Sequence, residues 1–433
     1  MQKIVIKSLF VINLAVIILF WWTGSSSLLL GASISGLLIA LGRIAGLLAE
    51  FFILTELVLI SRIPFIERAY GFDNLNKLHR WIGYGLLSGI LSHPILLIFG
   101  YAIERHVSLW QQTLNFLTSW EDVAKALIAL TIVITVGIIS LPVIKRKFRY
   151  ESWHVIHLLM YVAIGLVLGH QINTADVSTG IALYYWLALN FLVFGGVLFY
   201  RVLHPFILFN RHRFNVEKIV QETHDVHSVY ITGRNMDKFT FEAGQYIHVS
   251  FLTKGMWQPH PFSISLAPNG KHIRISPKAL GDFTSKIKDL TAGTKVIIEG
   301  PFGRFTERAA KYEKYLLIAG GIGITPIRAL AESLSQKNRD AILLYGNKTE
   351  NDIVFKDELQ NLAPQGHYVL SEKTNGNFES GYIDEAKIKK FVPDLKERDI
   401  YICGPVGMMS AVTSILKNLG ISKSQIHFEK FSY

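Results

Sequence analysis

The sequence contains very little cysteine, since Cys403 is the only one among 433 residues. A single thiol excludes disulfide bonds within the chain, and it also excludes iron–sulfur clusters and zinc sites held by several thiolates. Any redox chemistry must therefore depend on organic cofactors, on haem or on a metal bound by histidine. The length is sufficient for two or three domains.

The first half of the chain is poor in charge. Residues 1–210 consist largely of apolar runs, whereas 211–433 have the composition of an ordinary soluble protein. The first run could be a secretory signal, because lysines precede it, but no small-residue cleavage site follows in "WWTGSSS", which favours a retained span. Six segments have the roughly 20 residues that cross a bilayer as a helix, namely 4–22, 36–60, 80–103, 123–144, 153–170 and 181–203.

Positive charge is nearly absent from alternate loops of this half. Residues 23–35 and 171–180 contain no lysine or arginine, and 104–121 contain only Arg105. The intervening loops are basic, as in "KRKFR", and basic loops remain on the cytoplasmic side. Both termini and the second half are therefore expected to be cytoplasmic. The net charge of +11 then reflects membrane topology and predicts no nucleic-acid partner.

Four histidines, His79 where the third apolar segment begins, His93 within it, and His157 and His170 in the fifth, lie where ionisable side chains are costly and usually functional. His79 and His93 are fourteen residues apart, which places them about 40° from a common helix face and about 21 Å apart along the axis. His157 and His170 would stand opposite them, giving one pair near each membrane surface. Imidazole also binds zinc and copper, but two separated pairs without carboxylate or thiolate co-ligands favour axial ligation of two stacked haems.

The spacing in the fifth segment is irregular. Thirteen residues separate His157 from His170, which misses a common face by about 140° on an ideal helix. We therefore expect a π-bulge, a kink or a rotated ligand in this helix. His154 fits no better and is interpreted as an interfacial residue beside Trp153.

Arg43 is the other costly residue inside an apolar segment. Its position nearer the outer side predicts contact with a haem propionate or attraction of an anionic acceptor. The alternative is an ion pair with Glu50 or another acid. Glu50 and Glu56 are six residues apart and lie on different faces, so neither is assigned a role.

The second half contains two kinds of pattern. Residues 214–305 carry short β-type runs separated by turn residues, which predict an antiparallel barrel. From Tyr315 onward, strand–glycine–helix units predict a parallel α/β sheet. The predicted architecture is a multi-domain membrane protein with a six-helix transmembrane di-haem domain (1–210), an antiparallel β-barrel domain (211–308) and a Rossmann-like α/β domain (309–433).

Five short motifs follow one another along this half. "GGIGITP" alone is a weak signal, because its spacing departs from the strict dinucleotide fingerprint. The ordered set resembles the ferredoxin–NADP reductase module, and with the histidine-bearing spans the chain resembles, over nearly all its length, the NADPH oxidase and ferric reductase family of membrane flavocytochromes b. The motifs are "HPFSIS" (260–265), "LGDFTSKI" (280–287), "GPFG" (300–303), "GGIGITP" (320–326) and "CGP" (403–405).

The resemblance implies roles for residues at matching positions. Ser263 is expected near the reactive flavin nitrogen, and a C-terminal aromatic, Phe431 or else Tyr433, is expected to cover the flavin until nicotinamide displaces it. Cys403 is expected beside the nicotinamide, with a small buried residue as the alternative. The implied FAD site comprises His260, Pro261, Phe262, Ser263, Gly281, Asp282, Phe283 and Thr284. The implied NAD(P) site comprises Gly320, Gly321, Gly323, Thr325, Pro326, Cys403, Gly404 and Pro405.

The resemblance also implies a path for electrons, from NAD(P)H through FAD and two b-type haems to an acceptor outside the membrane. The inner haem would be held by His79 and His157 and the outer haem by His93 and His170. The residues expected to take part in catalysis are Arg43, Ser263, Cys403 and Phe431.

Dioxygen, reduced to superoxide, is the first expected acceptor, because Arg43 stands where the oxidases carry an outer-side arginine. A ferric chelate is the second, because Leu97 stands one turn after His93, where animal oxidases carry a further histidine. Two other classes stay open, a conduit to quinone or a protein partner and a transporter with a nucleotide-sensing domain. No obligatory protein partner and no calcium switch are expected.

The nucleotide preference depends on charge near the second dinucleotide strand. "LLYGNKTEND" offers Lys348 and Glu350, while "LSEKTNG" offers Ser371, Glu372 and Lys373. These signals conflict, and NADPH is preferred over NADH.

Overall fold

The computed structural model describes residues 2–120, 122–148, 150–173, 176–363, 365–372 and 378–429. The chain divides into two compact units, and each is described by itself below. The first comprises 1–66 and 74–201, and the second comprises 67–73 and 202–433.

The first unit is helical. Among the described residues, five helical segments that lie wholly or mainly in this unit are long and apolar enough to cross a membrane, namely Gln2–Leu30, Ile34–Ile60, Phe72–Arg105, Ser152–Ile172 and Gly180–His212. A sixth span results if Leu109–Ser119 and Val123–Ile139, which meet at 110°, are counted as one. The predicted helical membrane domain is therefore confirmed. Its helices are α1 (Gln2–Leu30), α2 (Ile34–Ile60), α4 (Phe72–Arg105), α5 (Leu109–Ser119), α6 (Val123–Ile139), α7 (Pro142–Lys145), α8 (Tyr150–His157), α9 (Leu159–Ile172) and α10 (Gly180–Leu198). Most of α3 (Pro64–Tyr70) and the first two residues of α4 belong to the second unit.

The predicted fourth span, 123–144, is shorter in the structure. Helix α6 ends at Ile139, and Pro142 begins the separate helix α7. A proline disfavours helical geometry in the preceding residue, and Leu141 is accordingly extended. The span therefore stops about one turn earlier than its apolar composition suggested.

The predicted fifth span, 153–170, is interrupted after His157. Helices α8 and α9 are separated at Leu158, and the Tyr161 N–H donates to the Leu158 carbonyl three residues back, at 3.0 Å. The tighter hydrogen bond changes the rotation per residue. This break is the irregularity that the thirteen-residue spacing from His157 to His170 required.

Glycines bring α2 and α4 close together. A Cβ atom on Gly42 would stand 2.7 Å from Leu97, and one on Gly100 would stand 2.7 Å from Ile39. Small residues allow this approach in membrane helices, where packing rather than water drives association.

The second unit begins with helix α11 (His204–His212), which follows a π-helical turn at Phe199–Leu203, and continues as a barrel. Two antiparallel sheets of three strands, ordered β1-β2-β5 and β4-β3-β6, enclose one apolar core. Single bridges join Asn215 to Lys295 and Ile264 to Ile275, so the two sheets close on each other. The strands are β1 (Asn215–Gln221), β2 (His227–Thr232), β3 (Tyr246–Phe251), β4 (His260–Ser263), β5 (Ile273–Ile275) and β6 (Val296–Phe302).

A six-stranded parallel sheet follows, ordered β10-β9-β8-β7-β11-β12, with an apolar core on each face. The order reverses between β7 and β11, and ligands of such sheets bind at the carboxyl ends of the strands beside this reversal. The strands are β7 (Lys314–Gly320), β8 (Asp340–Asn347), β9 (Gly366–Leu370), β10 (Glu379–Ser380), β11 (Arg398–Cys403) and β12 (Ile426–Glu429). The helices of this unit are α12 (Asp282–Ser285), α13 (Ile324–Gln336), α14 (Lys356–Leu362), α15 (Glu385–Phe391) and α16 (Val406–Asn418).

Candidate functional site

The four membrane histidines form two pairs in the first unit. The ring centroids of His79 and His157 are 6.1 Å apart with their planes at 67°. Those of His93 and His170 are also 6.1 Å apart, with their planes at 68°. The pairing expected from the sequence is therefore the arrangement that the helices produce.

Three of these rings have a partner at Nδ1. In His93 this nitrogen lies 2.8 Å from the Gly42 carbonyl, and in His157 it lies 3.3 Å from the Ser140 hydroxyl, which also accepts from Trp153 Nε1. In His79 it is in ion-pair contact with the Glu56 carboxylate, although no hydrogen bond joins them. A partner at Nδ1 fixes the tautomer and leaves Nε2 as the nitrogen that can bind a metal.

A cavity of about 660 Å³ lies beside His93 and His170, and most of its lining is apolar. Arg43 faces this cavity and reaches Asp176 Oδ1 and the Tyr101 hydroxyl, both at 3.4 Å. Of the two interpretations of Arg43, the structure contains the ion pair, but with Asp176 rather than with Glu50. Glu50 instead accepts a hydrogen bond from Gln171. Asp176 was missed because it lies in a polar loop between spans, where no periodicity marks it.

The flavin residues expected from "HPFSIS" and "LGDFTSKI" come together in the barrel. The His260 ring stacks on the Phe283 ring with centroids 3.8 Å apart, and Phe262 lies 6.1 Å from the same ring. Ser263 is 6% exposed, and its hydroxyl has no hydrogen-bond partner among the residues that the structure describes. A buried hydroxyl without a partner is costly unless a bound molecule supplies one.

The turn expected to hold the FAD pyrophosphate makes internal hydrogen bonds. The Thr284 hydroxyl accepts from the N–H groups of Leu280 and Gly281 at 3.0 and 3.1 Å. These two donors are therefore engaged by the protein itself. A Cβ on Gly281 would meet nothing within 4 Å, so this face of the turn is open.

The two glycine motifs of the nucleotide domain meet where the sheet order reverses. "GGIG" follows β7 and "CGP" follows β11, which pair in parallel with Ala319 opposite Cys403. A Cβ on Gly404 would stand 3.0 Å from the Gly320 nitrogen, so the two backbones touch. Gly321 has a φ of 50°, which a glycine adopts without strain. Pro405 lies beside Gly320.

Three other predicted residues of this domain have buried side chains. Thr325 is buried and donates to the Ile322 carbonyl at 3.1 Å, and Pro326 is buried in the first turn of α13. Cys403 is fully buried in the core, as in the alternative interpretation of this residue. Phe431 and Tyr433 lie outside the described residues.

Acidic side chains cluster in the second unit near the end of β12. Burial and the charges of Glu67 and Asp73, opposed by Arg304, raise the pKa of Glu429 to about 8. Burial, together with Glu429, raises the pKa of the Cys403 thiol well above its ordinary value. Glu67 is buried and accepts from the Tyr246 hydroxyl at 2.6 Å and from the Gly303 N–H at 3.1 Å. The Cys403 thiol therefore stays protonated near neutral pH, which does not suit a nucleophile.

Three family models match the chain in succession. Residues 45–168 match a ferric reductase like transmembrane component, residues 208–306 match an FAD-binding domain, and residues 317–414 match an oxidoreductase NAD-binding domain. The fold and these matches define a membrane oxidoreductase with FAD-binding and NAD(P)-binding domains. The chain belongs to the NADPH oxidase and ferric reductase family.

Curated relatives resemble about half of the chain. The glycine betaine monooxygenase reductase subunit of Chromohalobacter salexigens is 28% identical over 51% of this chain and 64% of its own length. A flavohemoprotein of Burkholderia sp. strain TH2 is 30% identical over 50% of this chain and 58% of its own length. The FAD/NAD-binding domain of a nitric oxide dioxygenase from Vibrio cholerae has a TM-score of 0.46 and 25% identity, covering 50% of this chain and 97% of that domain. The match therefore spans roughly three fifths of the curated relatives' length.

The histidine pairs fit haem iron. Metal–imidazole bonds of about 2.0–2.1 Å on opposite sides of one ion put the ring centroids about 6 Å apart, and both pairs show this separation. Among the residues described, no group of three or more His, Cys, Asp or Glu side chains could hold a metal ion. A porphyrin supplies the four remaining ligands that such pairs lack, and the apolar cavity suits its ring.

Proposed function

We propose that this chain is a transmembrane NAD(P)H oxidase that reduces dioxygen to superoxide on the outer side of the membrane. The observation that carries the proposal is the 6.1 Å separation in each of the two histidine pairs. His79 with His157, and His93 with His170, would each hold one b-type haem, and the barrel domain would hold FAD; when bound, these groups would supply hydride acceptance and one-electron transfer. The proposal places both termini and the second unit on the cytoplasmic side, as the loop charges predict.

The residues of the second unit would bind and orient the donor. Ser263, which follows Phe262 in β4, offers a buried hydroxyl that has no hydrogen-bond partner among the described residues. The glycine turns after β7 and β11 let the dinucleotide backbone approach at the reversal point of the sheet. The exposed Glu350 is ion-paired with Lys356 at 2.6 Å. Lys348 is then the nearby cation that can bind a 2′-phosphate, which supports NADPH as the donor.

The cavity beside the outer pair supports dioxygen as the acceptor. Arg43 faces the cavity, where its charge can attract the superoxide anion as it forms, and Asp176 and Tyr101 hold the guanidinium in place. A ferric chelate is the second candidate. The observation that favours it is Leu97, an apolar residue that lines the same cavity one turn after His93.

Turnover of the purified, cofactor-loaded protein separates these acceptors. With NADPH and air we expect cytochrome c reduction that superoxide dismutase abolishes, at a rate above that with ferric citrate under argon. NADH is measured in parallel, and a lower kcat/KM with NADH is expected. Cytochrome c reduction that persists in the presence of superoxide dismutase would contradict the oxidase assignment, and faster turnover with ferric citrate would favour the ferric reductase.

The substitution Gly46→Ala tests the outer histidine pair without changing either histidine. A Cβ at this position would stand 2.6 Å from His93 Nδ1, so Gly46→Ala must displace the ring. We expect the apparent affinity for the outer haem to fall by about 10–100-fold, as for changes beside other metal ligands. The measurement is the haem-to-FAD ratio after purification at limiting haem.

Gly165→Ala is the matched control for this substitution. Gly165 lies in α9, and a Cβ there would meet nothing within 4 Å. The control should retain the wild-type ratio. Equal ratios in the two variants would show that the close contact at Gly46 has no bearing on haem binding.

A further inference from the structure

The two histidine pairs differ in the charge of the groups at Nδ1. His93 and His157 face uncharged oxygens, the Gly42 carbonyl and the Ser140 hydroxyl. His79 faces the carboxylate of Glu56. A carboxyl group is therefore in direct contact with a ring of the inner pair. The charge of Asp122 also acts on His170 of the outer pair, and that of Lys145 acts on His157 of the inner pair, but neither makes an ion-pair contact with the ring among the described residues.

The Glu56 carboxyl lies on α2 and is 8% exposed. Neither of its oxygens has a hydrogen-bond partner among the residues that the structure describes, and its contact with His79 is an ion-pair contact. The nearest carboxyl on the same helix, Glu50, accepts from Gln171 and makes no ion pair with a histidine among the residues that the structure describes. A buried carboxylate is costly, so its contact with one imidazole indicates a role for that contact.

The physical effect of this contact has a definite sign. An imidazole that donates its Nδ1–H to a carboxylate is fixed in orientation and becomes a stronger electron donor at Nε2. A stronger axial donor and a nearby negative charge both stabilise ferric iron over ferrous iron, which lowers the reduction potential. Carbonyl and hydroxyl partners act in the same direction but more weakly, because they carry no net charge.

We propose that Glu56 is a positioning residue that holds the inner haem at a lower reduction potential than the outer haem and so sets the direction of electron flow. The proposal rests on the haem assignment in the proposed function. With haem bound by both histidine pairs, one electron would pass from the inner site, which would be oxidised from ferrous to ferric, to the outer site, which would be reduced from ferric to ferrous. No bond would form or break, and His79 would keep its Nδ1 proton.

The test is an anaerobic spectroelectrochemical titration of the haem-loaded full chain, comparing wild type with Glu56→Gln. Glutamine keeps the shape and an acceptor oxygen but removes the charge. We expect the potential of the inner haem to rise, so that the equilibrium between the two haems shifts about tenfold toward the inner one, which is about 59 mV for one electron. His93→Leu provides a background in which the inner haem is measured alone.

Glu50→Gln is the matched control, because it removes a carboxyl from the same helix that contacts no histidine. It should leave the inner potential within error of wild type. An inner potential unchanged by Glu56→Gln, or raised equally by Glu50→Gln, overturns the proposal while leaving the haem assignment intact. Wild-type protein without a low-spin haem spectrum overturns the proposed function itself.

A second variant, Glu56→Asp, keeps the proposal testable if Glu56→Gln loses its haem. Glu56→Asp keeps the charge, so retention of the inner haem and of its low potential supports the proposal. Loss of the inner haem from both variants overturns the role given to the charge.

Discussion

Replacement of His93 by leucine is expected to lower the haem content of the purified protein from about two per FAD to about one. His93 faces the ring of His170, and its Nδ1 is engaged by the Gly42 carbonyl, so the outer site loses its oriented ligand. Removal of a metal ligand should lower the rate of superoxide formation by at least about 100-fold, beyond the loss from changes beside ligands. Pyridine haemochrome spectra against flavin absorbance give the ratio.

The inner site and the flavin should survive this substitution. His79 and His157 pair on their own, with their rings 6.1 Å apart, so a low-spin spectrum should persist at half intensity. Reduction of a dye that takes electrons directly from flavin should continue at the wild-type rate. His154→Leu is the control, since the ring that faces His79 belongs to His157, and two haems per FAD should remain. Two haems in His93→Leu would refute the assignment of the outer pair.

The sequence predicted the histidine pairs because spacing along a helix is a local property. His79 and His93 lie in one uninterrupted helix, α4, so their common face follows from 3.6 residues per turn. The spacing of His157 and His170 predicts that this helix is irregular. It does not show that the irregularity lies at Leu158. No glycine or proline marks it, and both α8 and α9 pack on α6, a contact that the local sequence does not reveal.

The partners of the charged groups were harder to predict, because they depend on which helices meet. Asp176 reaches Arg43 across 133 positions of sequence, and Gln171 reaches Glu50 across 121. Glu56 was assigned no role because its helix gave no reason to single it out. Its contact with His79 requires knowledge of how α2 crosses α4.

In the second unit the motifs predicted which residues come together but not how their side chains point. "GGIG" and "CGP" were expected at one nucleotide site, and the parallel pairing of β7 with β11 brings them together. The side chains of Thr325 and Cys403 are nevertheless buried. Sequence motifs constrain backbone conformation through glycine and proline, whereas the direction of a side chain depends on the core that forms around it.

Glu358→Ala is expected to destabilise the second unit by about 3 kcal/mol. Glu358 accepts from Arg274 at 2.6 and 3.1 Å and from Arg328 at 2.7 Å. Arg274 is 1% exposed, so the substitution leaves a guanidinium buried without its counter-ion. This pair joins β5 of the barrel to α14 beside the parallel sheet, and for about 240 residues the loss lowers the melting temperature by roughly 6–12 °C. Release of flavin fluorescence on heating the full chain reports the transition.

An exposed ion pair gives the matched control. Glu385 and Lys389 are 2.7 Å apart at the surface of α15, where such pairs contribute at most about 1 kcal/mol. Glu385→Ala should therefore shift the transition by no more than a few degrees. Glu358→Gln should fall between the two, since the amide oxygen still accepts from Arg274 but carries no charge. The three variants together separate the cost of an unpaired buried charge from the loss of a hydrogen bond. A melting temperature for Glu358→Ala equal to that of Glu385→Ala would show that Arg274 reaches water or another acid when Glu358 is removed.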